Sequence, residues 1–492
     1  MSSPSSSARP GREPATLIIT AGNRLSRWLH EQQARAAIAR GETVWETPDI
    51  LPWSAWLEKL WDEAIESGAL GRHPPLRLGD GQALALWESI ISEWVSDQTL
   101  LQPSATAELA HEAWQRMHEW RVPDSRDGAE DSKAFAGWSV KYREACERHH
   151  WLDGARLIDA LIPLVHARRL PLPAAIALRG FDAFTPAQQA LIDALREAGA
   201  AVDATEPPAP TASVSRVVLP TLRDEVDAAA CFARARLEQN PHVRIGVVVP
   251  DLARHRELVC RVFDDRLAPE SRLPGAARRR RPYNLSLGRS LAETSPVAEA
   301  LALLSDSIPM QRTGTLRIDA TCAWLRSPYL DGAAEEWAAR ARLERYLLES
   351  REPVASLRFL LHGAEGQARD LEECPHLAAH LNDWRHHLSQ LPARAMPSHW
   401  VPALTELLQA AGWPGDRLRD SHEHQAMEHW RDLLGELRRY DAVTGAIAFE
   451  AVVSRVQTLA RAAIFQPQTP MAPVQILGML ETSGLQFDHL WV

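Results

Sequence analysis

The sequence predicts an α/β protein with buried parallel sheets and large helical insertions. Four short apolar runs rich in β-branched residues carry the prediction, at 16–20, 176–178, 243–250 and 474–477. Runs of this length and composition are typical of strands that are buried on both faces of a parallel sheet. After the last of them come a loop with Gly484 and a second apolar run to Val492, which indicates strand, loop and strand.

Two long stretches of the chain have apolar residues at helical spacing instead, at about 65–172 and about 285–465. We interpret them as insertions into two domains. The first domain is expected over 15–205 and the second over 214–492. The chain stops within a predicted strand, so we expect it to be the N-terminal fragment of a longer protein.

The remaining segments are short. Residues 1–14 are rich in serine and proline and are expected to be disordered, and the proline-rich stretch 206–213 is expected to be the linker between the domains. Further short strands are expected at 44–46 and at 215–219.

Composition restricts the possible functions. The 492 residues carry a net charge of −10, which excludes a generic polyanion binder, so any nucleic-acid surface must be a local basic patch. The five cysteines are widely spaced and form no CxxC pair, which favours a reducing cytoplasm. The sequence contains no apolar run long enough for a membrane span and no secretory signal at its start. We therefore predict a cytoplasmic protein without a membrane partner.

Strand, glycine turn and helix at 16–39 are arranged like a phosphate loop, with Gly22, Asn23 and Arg24 at the turn. The Gly-Lys-Ser/Thr that neutralises phosphate and binds Mg²⁺ is missing, because the turn reads AGNRLS. Lysine occurs only at positions 59, 133 and 141, outside any glycine loop. The sequence therefore predicts a degenerate nucleotide site and no catalytic residue in this chain.

Three features point to contacts with single-stranded DNA. The Thr47-Pro48 turn precedes Trp53, whose indole would stack on a base, although its spacing also fits a buried helix face. The run Arg278, Arg279, Arg280 and Arg281 would contact phosphates, or else forms a solvated loop.

Two motifs are interpreted as coincidental. Pro123-Asp124 with Asp131 and Lys133 spells a nuclease signature, but we expect these residues to lie in a polar, glycine-containing loop between helices, without a strand pattern. The histidines at 422, 424 and 429 lack the spacing of a metal site. We therefore predict neither a nuclease centre nor a metal in this chain.

Several segments occur in the order found in superfamily 1 helicases. They are the turn at Gly22, the Thr47-Pro48 turn, the stretch Gly180 to Pro186 followed by Gln188, and the stretch Gly484 to Asp488. In this order they resemble the AddB/RecB-like "probable DNA repair protein" family. The resemblance implies two RecA-like domains with a degenerate P-loop NTPase fold, in which Arg179 and Gly180 stand where the family carries its catalytic acids.

The resemblance also implies what the chain does. In that family a PD-(D/E)xK nuclease follows the helicase-like part and uses Mg²⁺, often with an iron–sulfur cluster. Both would lie beyond Val492. Our leading hypothesis is a DNA repair or recombination module that does not hydrolyse ATP, binds DNA at residues that include Gly484, and positions the nuclease. The resemblance also implies a helicase–nuclease partner subunit. The alternatives are an active ATP-dependent helicase and a structural subunit that does not bind DNA.

Overall fold

The computed structural model describes residues 16–95, 103–123, 130–205, 212–273, 281–368, 370–466 and 472–492. The chain divides into two compact units, unit 1 with residues 1–287 and 469–492, and unit 2 with residues 288–468. The architecture is mixed α/β with parallel sheets. Among the described residues, no helix combines the length and the apolar character that crossing a membrane requires.

The first half of unit 1 is built on a four-stranded parallel sheet, the first sheet, with the order β2-β1-β5-β6. Two further short strands, β3 and β4, form a separate parallel pair. The six strands are β1 (Leu17–Thr20), β2 (Ile50–Pro52), β3 (Leu76–Arg77), β4 (Trp151–Leu152), β5 (Ala175–Arg179) and β6 (Ala201–Asp203).

In the described part of this stretch, the helices are α1 (Asn23–Ala39), α2 (Trp53–Glu66), α3 (Asp80–Val95), α4 (Pro103–Glu119), α5 (Glu130–His149), α6 (Leu157–His166) and α7 (Pro186–Glu197). Helix α2 buries Trp56, Leu60 and Trp61 against the strands, because apolar residues three and four positions apart share one helix face. Between β2 and β5 the chain is predominantly helical, in keeping with the apolar periodicity of that stretch.

The chain continues in unit 1 with α8 (Leu222–Gln239), β7 (Ile245–Val248), α9 (Leu252–Leu267) and β8 (Tyr283–Leu285). It then enters unit 2, which is mainly helical. The elements of unit 2 are β9 (Arg289–Ser290), α10 (Ser295–Thr313), β10 (Thr315–Arg317), α11 (Ile318–Arg326), α12 (Trp337–Glu349), β11 (Val354–Ser356), α13 (Leu357–Ala364), α14 (Pro375–Gln390), α15 (Pro397–Ala410), α16 (Ser421–Leu437), α17 (Asp441–Thr444), α18 (Phe449–Ala462) and β12 (Ile464–Phe465).

Unit 2 has its own core, in which Trp384, Trp400 and Trp430 are almost completely buried. It also contains a buried ion pair, since the Glu336 carboxylate lies 2.8 Å from the Arg340 guanidinium and neither side chain is more than 5% exposed. The same carboxylate accepts hydrogen bonds from the backbone N–H groups of His376 and Leu377, at the start of α14.

Back in unit 1, the last two strands are β13 (Val474–Leu477) and β14 (His489–Trp491). They join β7 and β8 in a second four-stranded parallel sheet with the order β14-β7-β13-β8, the second sheet. Phe487 packs directly over Gly246 of β7, where an added Cβ would lie 2.8 Å from the phenyl ring. Both strands predicted near the C-terminus are therefore present, and Gly246 makes room for the segment between them.

Three local predictions are wrong. Residues 44–46 form no strand. Residues 215–219 form no strand either, although they include two valines. Asp131 and Lys133 lie in the first turn of α5 rather than in a loop, because the acidic pair Glu130-Asp131 favours a helix N-terminus. Asp124, the other half of that apparent nuclease motif, lies outside the described residues.

Candidate functional site

The topology of the first sheet indicates where a ligand would be expected. In open parallel sheets, ligands bind beyond the carboxyl ends of the strands, at the point where the strand order reverses. Here the order reverses between β1 and β5, because β2 lies on one side of β1 and β5 on the other. The loops that follow these two strands begin at Ala21 and Gly180. We call the space between them the switch crevice.

The loop after β1 is too short to surround a phosphate. Only Ala21 and Gly22 separate β1 from α1, and Gly22 has an extended backbone with φ −149° and ψ 160°. A phosphate loop needs several consecutive N–H groups that curve around the anion. Asn23 is already the first residue of α1. Gly22 and Asn23 therefore form a plain strand-to-helix connection.

The next residue, Arg24, extends to the second sheet. Its Nη1 donates a hydrogen bond to Oε1 of Gln475 in β13, at 3.2 Å. Burial lowers the pKa of the Arg24 guanidinium, and the nearby Glu481 carboxylate partly opposes this effect. The Arg24 guanidinium therefore lies between the two sheets of unit 1.

Two glycines meet at the mouth of the switch crevice. Gly180 follows β5 and Gly484 lies between β13 and β14, and both have a positive φ, of 75° and 74°. A Cβ on Gly484 would lie 3.0 Å from Cα of Gly180 and 2.7 Å from Cδ2 of Leu25. A Cβ on Gly180 would lie 3.3 Å from the carbonyl oxygen of Ser483. The Ser483-Gly484 turn therefore occupies the entrance to the crevice.

Polar contacts hold this turn in place. The Ser483 hydroxyl donates a hydrogen bond to Oδ2 of Asp182 at 3.1 Å. Further along α1, the guanidinium of Arg244 lies 5.6 Å from the ring centre of Trp28 and pairs with Asp488 at 3.8 Å. We call Arg24, Leu25, Gly180, Gln475 and Gly484 the clasp, because they join the first sheet to the second.

The structure gives the predicted nucleotide residue Gln188 a local role. It is the third residue of α7, where its side-chain Oε1 accepts a hydrogen bond from the Thr185 N–H at 3.0 Å. Thr185 in turn accepts from the Gln188 N–H, which completes a capping box. Arg179, which the predicted resemblance would match to a catalytic acid, pairs with Asp203 at 2.8 Å. Hydrogen bonds from Thr205 and Arg179 lower the pKa of Asp203 to about 2.

Of the predicted DNA-contacting residues near β2, Thr47 and Pro48 are separated from the switch crevice, and Trp53 is buried. Thr47 and Pro48 precede β2, and since β1 and β2 are parallel, they lie at the amino edge of the first sheet, opposite the loop that holds Gly22. Trp53 is only 8% exposed and packs against Trp56 and Phe181, with ring centres 5.3 and 5.8 Å apart. In this conformation its indole belongs to the core.

Of the predicted arginine run, only Arg281 falls within the described residues; Arg278, Arg279 and Arg280 lie outside them. The Arg281 guanidinium pairs with Asp264 at 2.8 Å and lies 5.8 Å from the ring centre of Tyr283. The Tyr283 hydroxyl donates to the same carboxylate at 2.6 Å. Burial, together with this hydrogen bond, raises the pKa of Tyr283. Arg281 thus neutralises a partly buried acid at the edge of the second sheet.

Two tryptophans that the sequence analysis passed over are more accessible. Trp120, directly after α4 in unit 1, is 57% exposed, and Trp337, at the start of α12 in unit 2, is 70% exposed. A sequence signal existed for Trp337, because it lies outside the helical repeat of buried residues at 339, 343 and 347. These two indoles are better placed for stacking than Trp53.

The described residues bring together no group of three or more histidine, cysteine, aspartate or glutamate side chains able to hold a metal ion. Comparison with models of known protein families and with curated proteins gives no match for this chain.

Proposed function

We propose that this chain is a DNA repair or recombination protein of the AddB/RecB-like kind, a helicase-like module that binds DNA without hydrolysing ATP and positions a PD-(D/E)xK nuclease. The observation that carries the proposal is the clasp. In a RecA-like interpretation, the switch crevice is the nucleotide site, and the chain's own Ser483-Gly484 turn lies at its mouth. DNA is proposed as the ligand because the helicase-like segments occur in the order described in the sequence analysis.

A crevice held in this way favours a fixed joint over a nucleotide-driven hinge. To admit a triphosphate, Gly484 would have to move away from Gly180, and Arg24 would have to leave Gln475. The two-residue loop at Gly22 would then offer no cradle of N–H groups. The loop at Gly22 therefore supplies no nucleotide-binding energy that could offset the free-energy cost of opening the joint. This reasoning favours the inert module over an active helicase.

Nucleotide titration and turnover test the first half of the proposal. We expect no heat of ATP binding in calorimetry and no DNA-stimulated turnover above about 1 s⁻¹, the low end of ordinary enzyme rates. Arg24→Ala serves as the matched variant. A DNA-stimulated rate above that limit which disappears in Arg24→Ala would overturn the proposal, because it would place Arg24 on a phosphate.

Titration with a fluorescent single strand at several salt concentrations tests the second half. Stacking of a base on an exposed indole contributes about 1–3 kcal/mol with little salt dependence. Each arginine–phosphate contact adds about 0.7 to the slope of log K against log salt. We expect Trp337→Ala or Trp120→Ala to weaken binding without changing the slope, and neutralising Arg278 to Arg281 to flatten the slope.

A second candidate is a structural subunit that contacts protein and not DNA. The ion pairs of Arg281 with Asp264 and of Arg244 with Asp488 favour it, because these cations already have acidic partners. The net charge of −10 points in the same direction. Absence of single-strand binding at about 50 mM salt, where phosphate contacts are strong, would replace the DNA-binding proposal with this one.

A further inference from the structure

A groove of about 340 Å³ lies entirely within unit 2. The end of α11, the turn that follows it, one face of α12 and the Asp416-Arg417 pair form its walls. Much of the lining is apolar or small, with Leu325, Pro328, Ala333, Ala334, Trp337 and Ala341. A concave surface of this volume is at the lower end of ligand pockets, so it suits one small group at a time.

Trp337 lies on the wall of this groove with its indole open to solvent. The side chain is 70% exposed, although it is the largest one in the lining. Its neighbours in the groove from the same helix and the preceding turn include three alanines, Ala333, Ala334 and Ala341. An alanine side chain ends at Cβ, so these residues leave room beside the indole. A flat ring can therefore lie against it.

Two arginines line the same groove, and each is more exposed than the carboxylate it pairs with. Arg326 pairs with Glu344 at 2.8 Å, and the two side chains are 65% and 17% exposed. Arg417 pairs with Glu423, with exposures of 33% and 15%, and its guanidinium lies 4.7 Å from the ring centre of Tyr329. A ligand that enters from solvent therefore meets the guanidinium groups before these carboxylates.

We propose that this groove binds one nucleotide of single-stranded DNA, with its base stacked on Trp337 and its neighbouring phosphates against Arg326 and Arg417. An open aromatic face beside guanidinium groups is the combination that binds unpaired nucleotides, because the base stacks and arginine pairs with phosphate. A base inside a duplex is already stacked on both faces, so the site selects a single strand. The inference rests on the proposed function and gives it a binding site in unit 2.

Photo-cross-linking with single-stranded DNA that contains iodouracil gives the first test. Irradiation joins the halogenated base to an aromatic side chain on which it stacks, so we expect mass spectrometry of the digest to find the base on Trp337. Trp337→Ala should lose this product. Leu348→Ala is the matched control, because Leu348 is also in α12 and is 55% exposed but does not line the groove. It should leave the yield unchanged.

Binding titrations with a normal and an abasic strand of equal length give the second test. Trp337→Ala should weaken binding of the normal strand about 5- to 150-fold, the range that stacking of one base supplies. It should leave binding of the abasic strand nearly unchanged, because the phosphates are the same. A loss of folding would weaken both strands equally, so the comparison separates stacking from a structural role of Trp337.

Charge substitutions give the third test. Arg326→Gln should reduce the slope of log K against log salt by about 0.7, the contribution of one phosphate contact on a single strand. Arg345→Gln is the control and should leave the slope unchanged, because Arg345 is in the same helix and pairs with Glu349 outside the groove lining. Asp416→Asn should strengthen binding, since an exposed carboxylate in the lining repels phosphate.

Equal single-strand binding by wild type, Trp337→Ala and Arg326→Gln, with the cross-link on another residue, would overturn the groove assignment and leave the proposed DNA-binding module intact. A displayed peptide that is selected on wild type and no longer binds Trp337→Ala, while DNA binding is unchanged, would make the groove a protein-docking site instead. Absence of single-strand binding by wild type at about 50 mM salt would refute the DNA-binding half of the proposed function, and this inference with it.

Discussion

Replacing Gly484 with alanine tests whether the clasp is a fixed joint. The backbone at Gly484 has φ +74°, which costs a residue with a Cβ about 1–2 kcal/mol. The new methyl group would also lie 3.0 Å from Cα of Gly180 and 2.7 Å from Cδ2 of Leu25. The first neighbour is backbone and the second is a side chain that is only 4% exposed, so neither yields easily. Overpacking of this kind costs about 1–3 kcal/mol.

The two costs together predict a loss of about 2–5 kcal/mol in the free energy of unfolding. Gly41→Ala is the matched control, because Gly41 has φ +79° but no atom within 4 Å of the added Cβ. It should lose only the backbone part, about 1–2 kcal/mol. Gly22→Ala, with an extended backbone and open space, should lose nothing measurable. Denaturant titrations followed by tryptophan fluorescence compare the three variants.

A second substitution distinguishes the contribution of Leu25 to the cost of Gly484→Ala from that of Gly180. Leu25→Ala removes one of the atoms that the new Cβ meets, so Gly484→Ala should cost less in a Leu25→Ala background, although the contact with Gly180 remains. Equal losses in Gly484→Ala and Gly41→Ala would refute the fixed joint. So would a Gly484→Ala protein of unchanged stability that binds DNA more weakly, because Gly484 would then act on DNA and not on Gly180.

Three further predictions use other parts of the molecule. Glu336→Ala should destabilise unit 2 by about 3–5 kcal/mol in a denaturant titration, because it leaves the 1% exposed Arg340 without its ion-pair partner. Glu349→Ala is the control, at an exposed pair with Arg345. It should change the free energy of unfolding by less than about 1 kcal/mol. Trp53→Ala should lower the free energy of unfolding by about 3–5 kcal/mol because it leaves a core cavity. In thermal melting, Trp337→Ala should be close to wild type. A larger loss in Trp337→Ala than in Trp53→Ala would contradict the burial of Trp53. Burial raises the pKa of the Cys146 and Cys374 thiols from 9.0 to about 11. Because the unfolded chain loses these protons at lower pH than the folded protein, the free energy of unfolding should fall as pH rises from about 9 to about 11. An equally steep fall in the denaturation midpoints of a Cys146→Ala, Cys374→Ala protein would contradict this.

Sequence patterns predicted the strands and helices that composition and spacing within a short stretch of the chain can identify. The apolar runs at β1, β5, β7 and β13 are strands, and most residues in each of them are buried. The helical character of the stretch between β2 and β5 followed in the same way from spacing. These strands and helices can be recognised without knowing which strands pair.

The errors arose where distant partners decide the conformation. Residues 44–46 and 215–219 have β-branched side chains but no neighbouring strand among the described residues, and composition alone does not supply one. The contact between Gly180 and Gly484 joins positions about 300 residues apart. Sequence analysis identified both glycines by resemblance, yet it could not show that they touch. For Trp53, the helix-face interpretation matches its burial.

The connectivity of the second sheet imposes an order on synthesis. β8 lies directly beside β13, but Val474 follows Leu285 by 189 positions along the chain. At ribosomal rates of roughly 5–20 residues per second, β8 leaves the ribosome roughly 10–40 s before the strand that will cover its inner edge. Throughout this interval β7 and β8 have no strand between them, while all of unit 2 is made. A nascent chain of this kind is expected to depend on a holding chaperone until β13 arrives, and slowing translation within 288–468 should lengthen that dependence.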